Sequence, residues 1–143
     1  MLIVTVLRAK GDSVATIPPD ATVRDLLELL AEQRIGAAVV TADDAIAGIV
    51  SERDVVRRLA DDGGALLDRH VAEIMTADVV TCTRETPVED LARTMTERRI
   101  RHVPVVDDEG ALVGIVSIGD VVKSRISELE GERDDLVGYI GSH

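Results

Sequence analysis

No Phe and no Trp occur in this chain, and Tyr139 is its single tyrosine. A core must therefore be built from Val, Ile, Leu and Ala, which favours tight β-branched packing and leaves almost nothing on which a base could stack. Cysteine is nearly absent as well. Cys82 stands alone, so it has no partner for an internal disulfide or at metal-ligand spacing, and it reads as a small core residue. The three histidines, His70, His102 and His143, cluster with no acids, so no metal site is expected. Basic residues are in deficit: 16 Lys and Arg face 27 Asp and Glu, for a net charge of −11. Such a surface repels nucleic-acid phosphates and anionic membrane alike. No run approaches the roughly 20 apolar residues of a spanning helix, and Met1 to Val6 lacks a basic leader, which makes the cytoplasm the expected compartment. No Ser/His/Asp or Cys/His order, Walker loop or Gly-x-Gly-x-x-Gly occurs, so no catalysis is expected.

What the chain does have is a duplication. Gly48-Ile49-Val50-Ser51-Glu52-Arg53-Asp54 returns as Gly114-Ile115-Val116-Ser117-Ile118-Gly119-Asp120, 66 positions on. Gln33-Arg34-Ile35 returns as Arg98-Arg99-Ile100, and Val23-Arg24-Asp25-Leu26 as Val88-Glu89-Asp90-Leu91, both at an offset of 65. The second copy has gained one residue in the turn Asp107 to Gly110. With 45% apolar residues in 143, the two copies have enough material for a core.

Each copy reads β-α-β-β-α. Residues 1 to 9 leave a short strand and a helix turn both open. Val14 to Ile17 reads as a short strand stopped by Pro18-Pro19. From Thr22 to Arg34 the apolar residues fall at helical spacing, Ala37 to Thr41 and Ile46 to Ser51 read as strands, and Glu52 to Leu59 as a helix. In the second copy Thr86-Pro87-Val88-Glu89 predicts a helix start with Thr86 as the cap and a capping box. Strands follow at Val103 to Val106 and Leu112 to Ser117. The expected division is 1–68, 69–126 and a tail, 127–143, predicted as a helix interrupted at Gly131. Ile126, Leu129, Leu136, Val137 and Ile140 punctuate the otherwise charged segment from Ser124 to Ile140, which packs on its own domain or completes a homodimer.

An apolar strand followed by Gly-Ile-Val-Ser-x-x-Asp opening a helix, written twice, with Met75-Thr76 starting the second copy, resembles the cystathionine-β-synthase (CBS) domain pair, or Bateman module. The resemblance spans roughly residues 8 to 126. It implies an α+β fold of two β-α-β-β-α repeats packed sheet to sheet with pseudo-two-fold symmetry, each burying the face the other leaves wet. It also implies a non-catalytic sensor or regulatory module that binds an adenosyl ligand such as AMP, ADP, ATP, NAD or S-adenosylmethionine, forms a homodimer and acts on an unknown protein partner. The alternative is a regulatory or structural subunit of a partner enzyme, with unoccupied pockets.

The repeated turn has a chemistry of its own. An Asp three positions after a strand-end Ser suits a vicinal diol, because a carboxylate accepts two hydrogen bonds side by side. The Ser suits a phosphate or sugar oxygen at the helix N-terminus. The plainer alternative is that Ser51 and Ser117 are helix caps and the Asp residues first-turn acids that complement the dipole. From the resemblance, one site combines Ser51, Arg53 and Asp54 with Thr76, Val79, Val80, Ile100, Arg101 and His102. The other combines Ser117 and Asp120 with Lys10, Val14, Ala15, Ile35 and Gly36. The segment Glu97 to His102 carries local positive charge suited to a phosphate, whereas the opposite turn has Ile118 and Gly119 where the first has Glu52 and Arg53.

Overall fold

The computed structural model describes residues 1–141 as mixed helix and strand, with two small sheets related by the duplication. Helix α1 (Ile3–Lys10) leads into β1 (Thr16–Ile17), α2 (Val23–Gln33), β2 (Ala37–Ala42), β3 (Ala45–Ser51) and α3 (Glu52–Asp62). Two short 3-10 turns carry the chain to α4 (Val88–Arg98), β4 (His102–Val106), β5 (Leu112–Ser117) and α5 (Ile118–Gly141). In the first sheet β2 lies between parallel β1 and antiparallel β3; in the second, β4 and β5 pair antiparallel. The registers match across the repeat: Val40 faces Gly48 as Val105 faces Gly114, and a bulge follows each, after Val40 and after Val105.

Alternation along the strands sets two buried faces. Ala38, Val40 and Val50 join Val23, Leu26 and Leu30 of α2 in one core, and Val103, Val105 and Val116 join Val88, Leu91 and Met95 of α4 in another. The opposite pleats carry Ala37, Val39 and Pro104, which are buried too, because the sheets cover one another. The seam is crossed at Ile49 and Thr76, which exchange backbone bonds of 3.0 and 2.9 Å. Glycine at 48 is needed there: a Cβ would lie 2.6 Å from Met75 Sδ and 2.8 Å from the Thr76 carbonyl.

One expectation left open is decided, and three change. Residues 3–10 form a helix, because Ile3, Val6 and Leu7 share one face and bury it in the core of the second copy. The leading strand of the second copy shrinks to a single parallel bridge between Cys82 and Val105. Thr86 does not cap α4; Pro87 holds that position, and the Thr86 hydroxyl instead accepts the Thr83 amide at 3.1 Å. Helix α5 runs unbroken through Gly131 to Gly141. A reciprocal cap does form at α2: the Thr22 amide donates to Asp25 Oδ2 at 3.0 Å and the Asp25 amide to Thr22 Oγ1 at 3.1 Å. Thr22→Ala is therefore expected to cost about 1 kcal/mol in urea unfolding, and Thr86→Ala clearly less.

Among the described residues no helix is long and apolar enough to cross a membrane.

Candidate functional site

At each β-to-α turn the strand ends on Ser and the helix begins at the next residue, so Ser and Asp sit at the helix N-terminus beside the seam. In the first copy the Ser51 amide and hydroxyl both donate to Asp54 Oδ2, at 2.8 and 3.1 Å. Oδ1 carries no hydrogen bond among the described residues. In the second copy the box is reciprocal: the Ser117 amide donates to Asp120 Oδ2 at 2.9 Å, and the Asp120 amide to Ser117 Oγ at 3.2 Å. Both turns thus cap their helices, and what distinguishes them is what else reaches the carboxylate.

The first turn opens into a cleft of about 170 Å³. Ser51, Arg53, Asp54, Thr76, Val79, Val80, Ile100, Arg101 and His102, drawn from both copies, all line it. So do Ile49, Glu52, Arg57 and Asp78, which were not assigned to it, and Arg99, from the basic segment Glu97 to His102. Arg57 follows Arg53 by one helical turn of α3, a spacing that places both on one face. Arg99 ends α4 in the left-handed conformation, φ 54°, and its carbonyl accepts Arg53 Nη1 at 3.5 Å.

Charge sets this cleft apart. The chain has 27 acids, yet Arg53, Arg57, Arg99 and Arg101 form no salt bridge among the described residues, although Glu52, Asp54 and Asp78 line the same space. Elsewhere among the described residues Arg24, Arg58, Arg69, Arg125 and Arg133 are paired, and Arg8, Arg34, Arg84, Arg93 and Arg98 are not; what marks this cleft is that four unpaired arginines line one space. Four guanidiniums beside a helix N-terminus form a place for an anion, and their planar forks suit phosphate.

The second set is not brought together in the same way. Lys10 takes up the place that Thr76 has in the first copy: the Thr76 amide donates to the Ile49 carbonyl, and the Lys10 ammonium reaches the equivalent Ile115 carbonyl at 2.8 Å and Asp120 Oδ2 at 2.6 Å. Where the first cleft has a short Thr76, the second has a long cation seated on its carboxylate. Burial pushes the Asp120 carboxyl up, but the Lys10 and Ser117 hydrogen bonds prevail and hold it below the usual carboxylate range. Val14 lines a separate shallow depression with Asp12, Thr16, Arg84, Leu112 and Val113. Ala15 and Ile35 pack against the core of the first copy, and Gly36 belongs to the first cleft, where a Cβ would meet Glu52 Oε1 at 3.1 Å and His102 at 3.4 Å.

His102 stands between the two turns. Desolvation pushes its pKa down; Glu52 and Asp120 oppose this, and Lys10 and Arg101 add to it. A histidine whose folded pKa is depressed takes up its proton more readily when unfolded, so its contribution to stability is lost as pH falls below its unfolded value of about 6.5. The melting temperature of the wild type should accordingly drop more between neutral and mildly acid pH than that of His102→Asn, as scanning calorimetry would show. Burial also pushes the Cys82 thiol up to about 11, which keeps it protonated and inert. Among the described residues no three His, Cys, Asp or Glu side chains are placed to hold a metal ion; His143 lies outside those residues.

Comparison with known proteins matches this geometry to a family. The family model for the CBS domain matches residues 11–61 and 71–127. A curated relative, the mitochondrial CBS domain-containing protein CBSX3 of Arabidopsis thaliana, is 37% identical over 94% of this chain and 69% of its own length. Two longer curated relatives are spanned over only 36% and 22% of their length. Among solved structures, the CBS-domain protein ATU1752 of Agrobacterium tumefaciens superposes with a TM-score of 0.85 at 42% identity, covering 87% of this chain and 99% of that one. The CBS domain protein PAE2072 of Pyrobaculum aerophilum, solved in complex with AMP, has a TM-score of 0.75 at 33% identity, covering 84% and 89%.

Proposed function

Because the chain belongs to the CBS-domain family and carries two copies of the domain, we propose that it is a cytoplasmic, non-catalytic regulatory module that holds one adenine nucleotide per chain in the first cleft. The observation that carries this reading is the convergence of four arginines without salt bridges on one cleft of a strongly acidic protein. In this arrangement Asp54 receives the ribose hydroxyls on its free Oδ1, since Oδ2 already accepts the Ser51 amide and hydroxyl. Arg53, Arg57, Arg99 and Arg101 neutralise the phosphate. Adenine lies against Val79, Val80, Ile49 and Ile100, held by apolar contact and backbone amides because no aromatic ring is at hand. The AMP complex of the relative from Pyrobaculum aerophilum supports the ligand class.

The ligand would bridge the copies, since Asp54 and Arg53 come from one and Thr76, Arg99 and Arg101 from the other. A ligand that touches both favours the arrangement in which both reach it, and a partner protein would read that shift in population. Lys10 fills the corresponding place in the second cleft, so a second equivalent is not expected. Calorimetric titration of the purified chain with AMP, ADP, ATP, NAD, S-adenosylmethionine and adenosine tests this. One equivalent per chain is expected, with phosphate-bearing ligands well ahead of adenosine; no binding by any of them, or two equivalents, would remove the reading. At a ligand concentration 100 times Kd, stabilisation of about 2.7 kcal/mol should accompany binding.

A further inference from the structure

The charge of the first cleft does not balance a nucleotide phosphate. Four guanidiniums, from Arg53, Arg57, Arg99 and Arg101, line it together with the three carboxylates of Glu52, Asp54 and Asp78, which leaves one positive charge. The N-terminus of α3 adds about half a charge more. A phosphate monoester, whose second pKa is about 6, carries about two negative charges above neutral pH, so the dianion is still not neutralised. Among the lining residues, the one remaining side chain whose charge changes near neutral pH is His102.

His102 opens β4 and is half-buried beside the cleft. Gly36, just before β2, has no side chain, and a Cβ there would lie 3.1 Å from Glu52 Oε1 and 3.4 and 3.5 Å from His102 Cε1 and Nε2. The imidazole and the Glu52 carboxylate thus approach one point, yet no hydrogen bond or ion pair joins them among the described residues. Desolvation keeps the proton off the ring; Glu52 from α3 and Asp120 from α5 favour the proton, and Lys10 from α1 and the adjacent Arg101 oppose it. Asp120 is already engaged by Lys10, which leaves Glu52 as the acid open to an imidazolium.

We infer that the first cleft takes up its nucleotide phosphate together with one proton, which His102 carries. This rests on the nucleotide reading of that cleft. A phosphate dianion adds negative charge that favours the imidazolium, and the imidazolium pairs with Glu52 across the space that Gly36 leaves, which offsets a carboxylate that repels the phosphate. A group that holds its proton more tightly in the complex than in the free chain strengthens binding as pH falls toward its value in the free chain. Acidification and nucleotide then act on the module in the same direction.

Titration calorimetry of the full chain with AMP at about pH 7.5, in buffers of different ionisation enthalpy, counts the protons; the AMP phosphate is already dianionic there, so uptake belongs to the protein. The wild type should take up about half a proton or more per AMP, and its AMP affinity should rise at least about threefold between about pH 8 and about pH 6.5. Adenosine, which brings no charge, should take up none. His102→Asn should lose most of the uptake and most of the pH dependence. Glu52→Gln, which removes an exposed carboxylate from the cleft, should bind AMP more tightly than the wild type at about pH 8 and take up less proton. AMP bound without proton uptake, uptake undiminished in His102→Asn, or weaker AMP binding in Glu52→Gln would overturn the coupling and leave the nucleotide site standing. No AMP binding by the wild type would remove both.

Discussion

Asp54→Ala is expected to weaken AMP binding at least about tenfold. A hydrogen bond to a charged group contributes about 1.5–3 kcal/mol, and each factor of ten in affinity is about 1.4 kcal/mol. The same change removes the acceptor for the Ser51 amide and hydroxyl, so some stability goes with it. Asp54→Asn separates the two roles, because the amide oxygen still accepts the Ser51 amide but no longer presents a carboxylate to a diol. Asn should therefore restore much of the melting temperature and little of the affinity, in paired thermal and calorimetric measurements. Asp120→Ala, whose carboxylate is already held by Lys10, should leave AMP affinity within about twofold of the wild type. Unchanged AMP affinity in Asp54→Ala would reduce this turn to a helix cap.

Leu26→Ala should lower stability by about 2–5 kcal/mol, the range for deleting a fully buried leucine side chain. Leu26 is wholly buried in the core of the first copy, against β2 and β3. Because that sheet also covers the other one across the seam, the loss should appear as a single earlier unfolding transition in urea, not as a separate melting of one copy. Two resolved transitions would mean that the copies fold independently.

Much of the fold was legible because the chain states it twice. Strands β2 to β5 and helices α2 and α3 lie within a residue or a few of where apolar spacing put them, and the repeat identified Ser51 and Asp54 with Ser117 and Asp120. The reading stayed open or failed where tertiary contact decides. Ile3, Val6 and Leu7 are helical because the second copy offers them a core, which no local pattern announces. Thr86 has the sequence of a cap, but the turn from Thr83 engages its hydroxyl first. Gly131 reads as a break, yet one glycine costs a helix only about 1 kcal/mol relative to alanine.

The clefts show the same division. The nine residues carried onto the first cleft from the resemblance line one space, and Arg57 could have been added from its spacing to Arg53. The basic segment Glu97 to His102 pointed to Arg99 only as one of several charges; that Arg99 and not Arg98 lines the cleft is settled where α4 ends in a left-handed turn. The difference between the clefts was partly visible in Ile118 and Gly119. Its main cause, the Lys10 ammonium on Asp120, joins residues 110 positions apart and appears only once the sheets are stacked.

The central claim is that the arginine-lined cleft binds a phosphate-bearing adenosyl ligand, and titration of Arg101→Ala with AMP and with adenosine tests it most directly. AMP should lose at least about tenfold in affinity, as expected for a charge-assisted contact to phosphate, while adenosine changes little. Equal losses for the two ligands, or no loss for either, would contradict it.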